Sequence, residues 1–161
     1  MTIAPSLSRR SFAAALPLAF IACSGAAGSG SAVAAAEALP ELVVYKTPTC
    51  GCCTAWVEHV RAAGFSVRTV EVEDTGAIAA RYAVPGQLRS CHTAIVEGYA
   101  VEGHVPARDI RRLLAERPAI AGIAVPGMPV GSPGMEMGER RDPFNVVAFT
   151  RDGRESAFAT Y

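Results

Sequence analysis

The stretch "KTPTCGCCTAWVEHV", Lys46 to Val60, places three cysteines, Cys50, Cys52 and Cys53, between an apolar run and a helical pattern. Just before it, Leu42 to Tyr45 in "ELVVYK" is short, apolar and β-rich, which predicts a buried strand. Thr47-Pro48-Thr49 breaks that strand, and Thr49 is the expected helix N-cap. From Thr54 onward, Trp56, Val57, Val60 and Ala63 share one helical face while Glu58 and Arg61 point away. Gly64 then suits the position just past the helix end. A thiol cluster at a strand-to-helix junction is the feature around which the rest of the chain has to be arranged.

Downstream, "FSVRTVEV" alternates and predicts a second strand, and Ile78 to Tyr82 predicts a short helix. "VPGQLR" reads as a turn-rich loop. Thr93 to Val96 and Tyr99 to Glu102 predict a hairpin with Glu97-Gly98 as its turn. "PARDIRRLLAERP" is amphipathic, with Pro106 at its start, Ile110, Leu113 and Leu114 inward, and Pro118 past its end. "AVPGMPVGSPGMEMGERRDP" is Gly-, Pro- and Met-rich without periodicity and predicts a long loop. The chain closes as a hairpin around Asp152-Gly153. The resulting β-α-β-α-β-β-α order predicts an α/β, thioredoxin-like domain, with a mixed central sheet flanked by helices. In that arrangement Cys50 and Cys53 sit between the first strand and the first helix, and the loop Ser90-Cys91-His92 faces them where a proline would be expected.

A cysteine at a helix start meets unpaired N–H groups and the positive end of the helix dipole, which favour thiolate, the form that attacks disulfides and binds metals. Cys50 and Cys53 have the spacing of a natural disulfide, whereas adjacent Cys52 and Cys53 would be strained as a pair. The thiol of Cys52 is awkward beside a redox couple but useful as an extra soft ligand. Soft donors select Cu(I), with Zn(II) also plausible where imidazole joins in. The expected metal ligands are therefore Cys50, Cys52, Cys53, Cys91 and His92, with His104, Met128, Met135 and Met137 as subsidiary donors. No residue is assigned a catalytic role. The alternative is a thiol–disulfide oxidoreductase, with Cys50 attacking and Cys53 resolving. His59 is expected to face solvent, Trp56 to sit in the core, and Tyr45 and Tyr99 to be structural.

The first 36 residues read as an export signal rather than as structure. Ser8-Arg9-Arg10-Ser11-Phe12 matches most of a twin-arginine signal, and small-residue cleavage positions end at Ala34 or Ala36. An ordinary secretory signal is the alternative, and Cys23 offers a second-ranked lipid-anchor site. Residues 37–40 form a linker and residues 41–161 a single metal-binding domain. The expected location is the periplasm, where disulfides persist. The whole chain has 15 basic and 15 acidic residues; losing Arg9 and Arg10 leaves 13 basic against 15 acidic. That balance gives no footprint for nucleic acid, and no apolar run in the mature part would span a bilayer.

"YKTPTCGCCTAWVEHVRAAGFSV", "VPGQLRSCHTAIVEGYAVEGHVPARDIRRLL" and "AVPGMPVGSPGME" together resemble the bacterial family called domain of unknown function 411, over roughly residues 41–159. The resemblance implies an exported, thioredoxin-like, metal-binding or copper-resistance-associated protein. It implies metal binding at Cys50, Cys52, Cys53, Cys91 and His92. The expected partners are the metal ion and another periplasmic copper protein.

Overall fold

A computed structural model describes residues 38–161. The export signal, its cleavage positions and Cys23 lie outside the described residues. The elements in chain order are β1 (Leu42–Lys46), α1 (Gly51–Ala62), β2 (Val67–Glu71), α2 (Thr75–Arg81), a single 3-10 turn (Gly86–Leu88), β3 (His92–Val96), β4 (Tyr99–Glu102), α3 (Ala107–Glu116), β5 (Gly122–Ala124), β6 (Asn145–Phe149) and β7 (Glu155–Thr160). The strands form one seven-stranded sheet in the order β2-β1-β3-β4-β5-β6-β7. β1 runs parallel to β2 and antiparallel to β3, and β3 is antiparallel to β4. That is the α/β, thioredoxin-like arrangement expected from the sequence.

Alternation along the strands divides the core between the two sheet faces. Leu42, Val44, Ala94, Val96, Val101 and Ile123 pack on one face against Trp56, Val57 and Val60 of α1 and Ile110 and Leu113 of α3. Ala100, Ala124 and Phe149 face the other way, against Ala79 of α2, Val84 and Leu88. Trp56 is fully buried, and its indole N–H donates to Val105 O at 2.9 Å. Truncating an aromatic side chain so placed costs roughly 3–5 kcal/mol.

Several boundaries differ from expectation. α1 begins at Gly51 rather than near Thr54, and its N-cap is Cys50, not Thr49. The sulfur of Cys50 substitutes for the usual capping oxygen by accepting the Cys53 N–H at 3.3 Å. α2 starts earlier than Ile78, because Asp74 caps it by accepting the Gly76 N–H at 2.7 Å. On α3, Ile110 and Leu113 are buried as expected, but Leu114 is only partly so, and Asp109 is buried. The buried carboxylate accepts the Tyr161 hydroxyl.

β5 was not expected at all. It has three residues, too few to show periodicity. It exists because Gly122 lets the chain pass close to β4: a Cβ there would lie 2.1 Å from Ala100 O. β5 pairs parallel with β4 and antiparallel with β6, so it carries the C-terminal hairpin onto the main sheet. The other turns follow the sequence. Glu97 and Gly98 both take positive φ, 48° and 83°, in the two-residue turn of the β3–β4 hairpin.

Candidate metal centre

The short β1–α1 connection places three cysteines at the tip of α1. Cys50 and Cys53 form a disulfide, while Cys52 and Cys91 are free. The Cys52 sulfur lies 3.5 Å from that of Cys50. No acidic side chain occupies the first turn of α1. Of the first-turn N–H groups, that of Cys53 donates to the Cys50 sulfur at 3.3 Å.

Cys91 arrives from the far side of the chain. Antiparallel pairing sets His92 opposite Lys46, the last residue of β1, so the residue before β3 lands beside the α1 tip. The sulfurs of Cys91 and Cys52 are 3.7 Å apart, and the Cys53 sulfur is 3.6 Å from the Cys91 carbonyl oxygen. A buried carboxylate holds this segment in place. Glu102 is 1% exposed, and it accepts the Ser90 N–H at 2.8 Å and the Thr93 hydroxyl at 2.6 Å. Burial raises its pKa, and those two hydrogen bonds oppose the rise. Gly103 completes the brace, since a Cβ there would stand 2.6 Å from the Ser90 Cβ.

Two buried imidazoles flank Cys91. His104 presents Nε2 to the Cys91 sulfur at 3.2 Å, and its Nδ1 is 2.8 Å from Pro133 O. A carbonyl can only accept, so Nδ1 carries the proton and neutral His104 turns the Nε2 lone pair toward sulfur. His92 places Nδ1 at 3.4 Å from the same sulfur, and its buried Nε2 has no hydrogen-bond partner among the described residues. The His92 ring lies 4.5 Å from the Trp56 ring and meets His104 edge-on at 5.2 Å.

Burial lowers the pKa of both histidines; for His92 burial acts first, then repulsion from His104, and the value falls to about 3. Both rings are therefore neutral at pH 7, as metal ligands must be. Burial, then the neighbouring Cys52, pushes the Cys91 thiol up to about 12. A metal ion would displace that proton. Within the cluster, the ligand atoms of Cys50, Cys52, Cys53 and Cys91 lie within 4.8 Å of one another, as do those of Cys91, His92 and His104. Cys91 belongs to both groups.

The Gly/Pro/Met-rich loop closes over one side. Gly134, at φ +81°, packs so tightly on α1 that a Cβ would lie 2.7 Å from Trp56 N and 2.9 Å from Cys52 O. Its neighbour Pro133 supplies the carbonyl that orients His104. The structure thus brings together Cys50, Cys52, Cys53, Cys91, His92 and His104. Met135 is partly buried, whereas Met128 and Met137 are exposed. His59 does not simply face solvent: it is half-buried, and Nε2 accepts the Ala107 N–H at the start of α3, 3.2 Å away. Sequence reasoning missed Glu102, Pro133 and Gly134. A charged residue inside the apolar return strand "YAVE" was the one available signal for Glu102.

The family described as "Protein of unknown function, DUF411" matches residues 88–135, the span from the Cys91 segment to Met135. Two solved structures titled copper resistance protein CopG, forms 2 and 1, are 47% and 48% identical to the chain. Each alignment covers 76% of this chain and 98% of that one, with a TM-score of 0.73. No curated protein sequence matches.

Proposed function

The chain belongs to the DUF411 family, and from that membership and the cluster at the α1 tip we propose that it binds a soft metal ion, Cu(I) foremost. The observation that carries this is Cys91, whose sulfur lies 3.7 Å from Cys52 and 3.2 Å from a His104 nitrogen whose proton is committed elsewhere. Two thiols and two imidazoles are free even in the disulfide form, and reduction of Cys50–Cys53 adds two more thiolates. Sulfur-rich, carboxylate-free donors of this kind suit Cu(I), and the same Cys and His set would also take Zn(II). The Cu(I) assignment is further supported by the copper-resistance titles of the solved relatives.

The role we propose is sequestration or delivery in the periplasm, where another copper protein would donate or receive the ion. The N-terminal arginine pair and apolar stretch support export. Among the described residues no helix is long and apolar enough to cross a membrane. Reduced protein handled without oxygen should take Cu(I) from a moderate chelator in preference to Zn(II). Absence of uptake, or uptake unchanged by Cys91→Ser, overturns the proposal.

The Cys50–Cys53 disulfide at a helix N-terminus favours a second reading, a thiol–disulfide oxidoreductase. Turnover in an insulin-reduction assay with a dithiol donor would support it, and lack of turnover would leave binding alone.

A further inference from the structure

Among the described residues, the exposed large apolar side chains are Met128 and Met137, 52% and 65% exposed. Both belong to the loop that closes the cluster. This loop is tied to the two cysteine-bearing segments separately. At its start, Gly127 accepts the Ser90 hydroxyl, which places Met128 one residue from a tether to the segment carrying Cys91. Further on, Gly134 sits against Cys52 O and Trp56 N, which places Met135 and Met137 just beyond a tether to the segment carrying Cys52. Between the tethers the backbone is held by Met135 N–H to Ser132 O at 2.8 Å, Gly131 N–H to Met135 O at 2.9 Å and Ser132 N–H to Pro129 O at 3.1 Å. An exposed methionine on so well-tied a loop fills no gap in the core, which is the usual task of that residue.

We propose that Met128 and Met137 form an outer capture station for monovalent soft metal ions, which passes them inward to the Cys/His cluster. The inference rests on the cluster being a soft-metal site. Its chemistry complements that of the inner donors. A thioether is neutral, loses no proton on binding and forms no disulfide, so it holds a d10 ion weakly in an oxidising compartment where thiols can be lost. The inner thiols lie at or below the surface, and Cys91 must release a proton before it ligates. Transfer moves the ion from a thioether lone pair to a thiolate, with the thiol proton leaving to solvent and no change in oxidation state.

The test uses the reduced full chain carrying methyl-13C methionine, titrated with Ag(I) past the capacity of the inner cluster. The Met128 and Met137 methyl signals, assigned by Met128→Leu and Met137→Leu, should move. In stopped-flow mixing with Cu(I) held by a weak donor, the double leucine variant should reach the wild-type endpoint about tenfold more slowly, the loss a modest ligand contact brings. Unmoved methyl signals, or an unchanged loading rate, overturn the capture station. Leucine keeps the apolar surface, so an unchanged rate would also be the outcome if these side chains serve only as a protein-docking patch. Failure of the wild-type protein to load sinks the metal-binding proposal instead, and the methyl signals still report on the rim.

Discussion

Replacing Gly134 by alanine tests whether the loop is seated on α1 and whether that seat orients His104. The new Cβ would meet backbone atoms, 2.7 Å from Trp56 N, 2.9 Å from Cys52 O and 3.1 Å from Trp56 Cα, and these belong to a helix that cannot yield. Left-handed backbone at φ +81° adds about 1–2 kcal/mol for a residue with a Cβ, and overpacking about 1–3 kcal/mol. If the loop stayed seated, the cost would be roughly 2–5 kcal/mol. Unseating is the cheaper outcome. It forfeits the His104–Pro133 hydrogen bond, worth about 1 kcal/mol net, and a comparable amount of packing. A loss of about 2 kcal/mol lowers the melting temperature by roughly 8 °C for a domain of this size. Thermal unfolding followed by circular dichroism measures the loss, and 15N chemical shifts of the imidazole nitrogens show whether His104 still carries its proton on Nδ1. A melting temperature within about 2 °C of wild type, with the His104 tautomer unchanged, would refute the close approach and the tautomer argument together.

Cys91→Ser should weaken Cu(I) binding about tenfold more than Cys52→Ser, because Cys91 alone belongs to both donor groups; equal losses in a competition titration would contradict that. Tyr161→Phe leaves the buried Asp109 carboxylate without its hydroxyl donor and should cost about 1–3 kcal/mol, read as a lower denaturant midpoint at constant slope. Burial holds the His59 pKa below 6.5, against the opposing charge of Glu136. The folded chain therefore takes up this proton at lower pH than the unfolded chain, so the contribution of His59 to stability is complete above pH 6.5 and declines as pH falls toward the folded value. His92 and His104 act in the same direction. His59→Gln should accordingly flatten, without abolishing, the fall in melting temperature below pH 6.5, and an unchanged slope would mean that burial does not depress the His59 pKa.

Local patterns were enough for the strand-helix-strand order, the β3–β4 turn at Glu97-Gly98 and the burial of Trp56, because each depends on residues close in sequence. They also identified six of the side chains that meet at the α1 tip. Tertiary structure decided which of these matter together. His104 reads from the sequence as a subsidiary donor, and only the distant carbonyl of Pro133 sets its tautomer toward Cys91. Glu102 and Gly134 gave little or no periodic signal, because their importance lies in contacts with Ser90 and with the α1 backbone. β5 was illegible for the same reason: three residues pair as a strand only once β4 and β6 are already beside them. The identities of the candidate donors are written along the chain, but the distances between them come from sheet register and loop packing, which bring together residues dozens of positions apart.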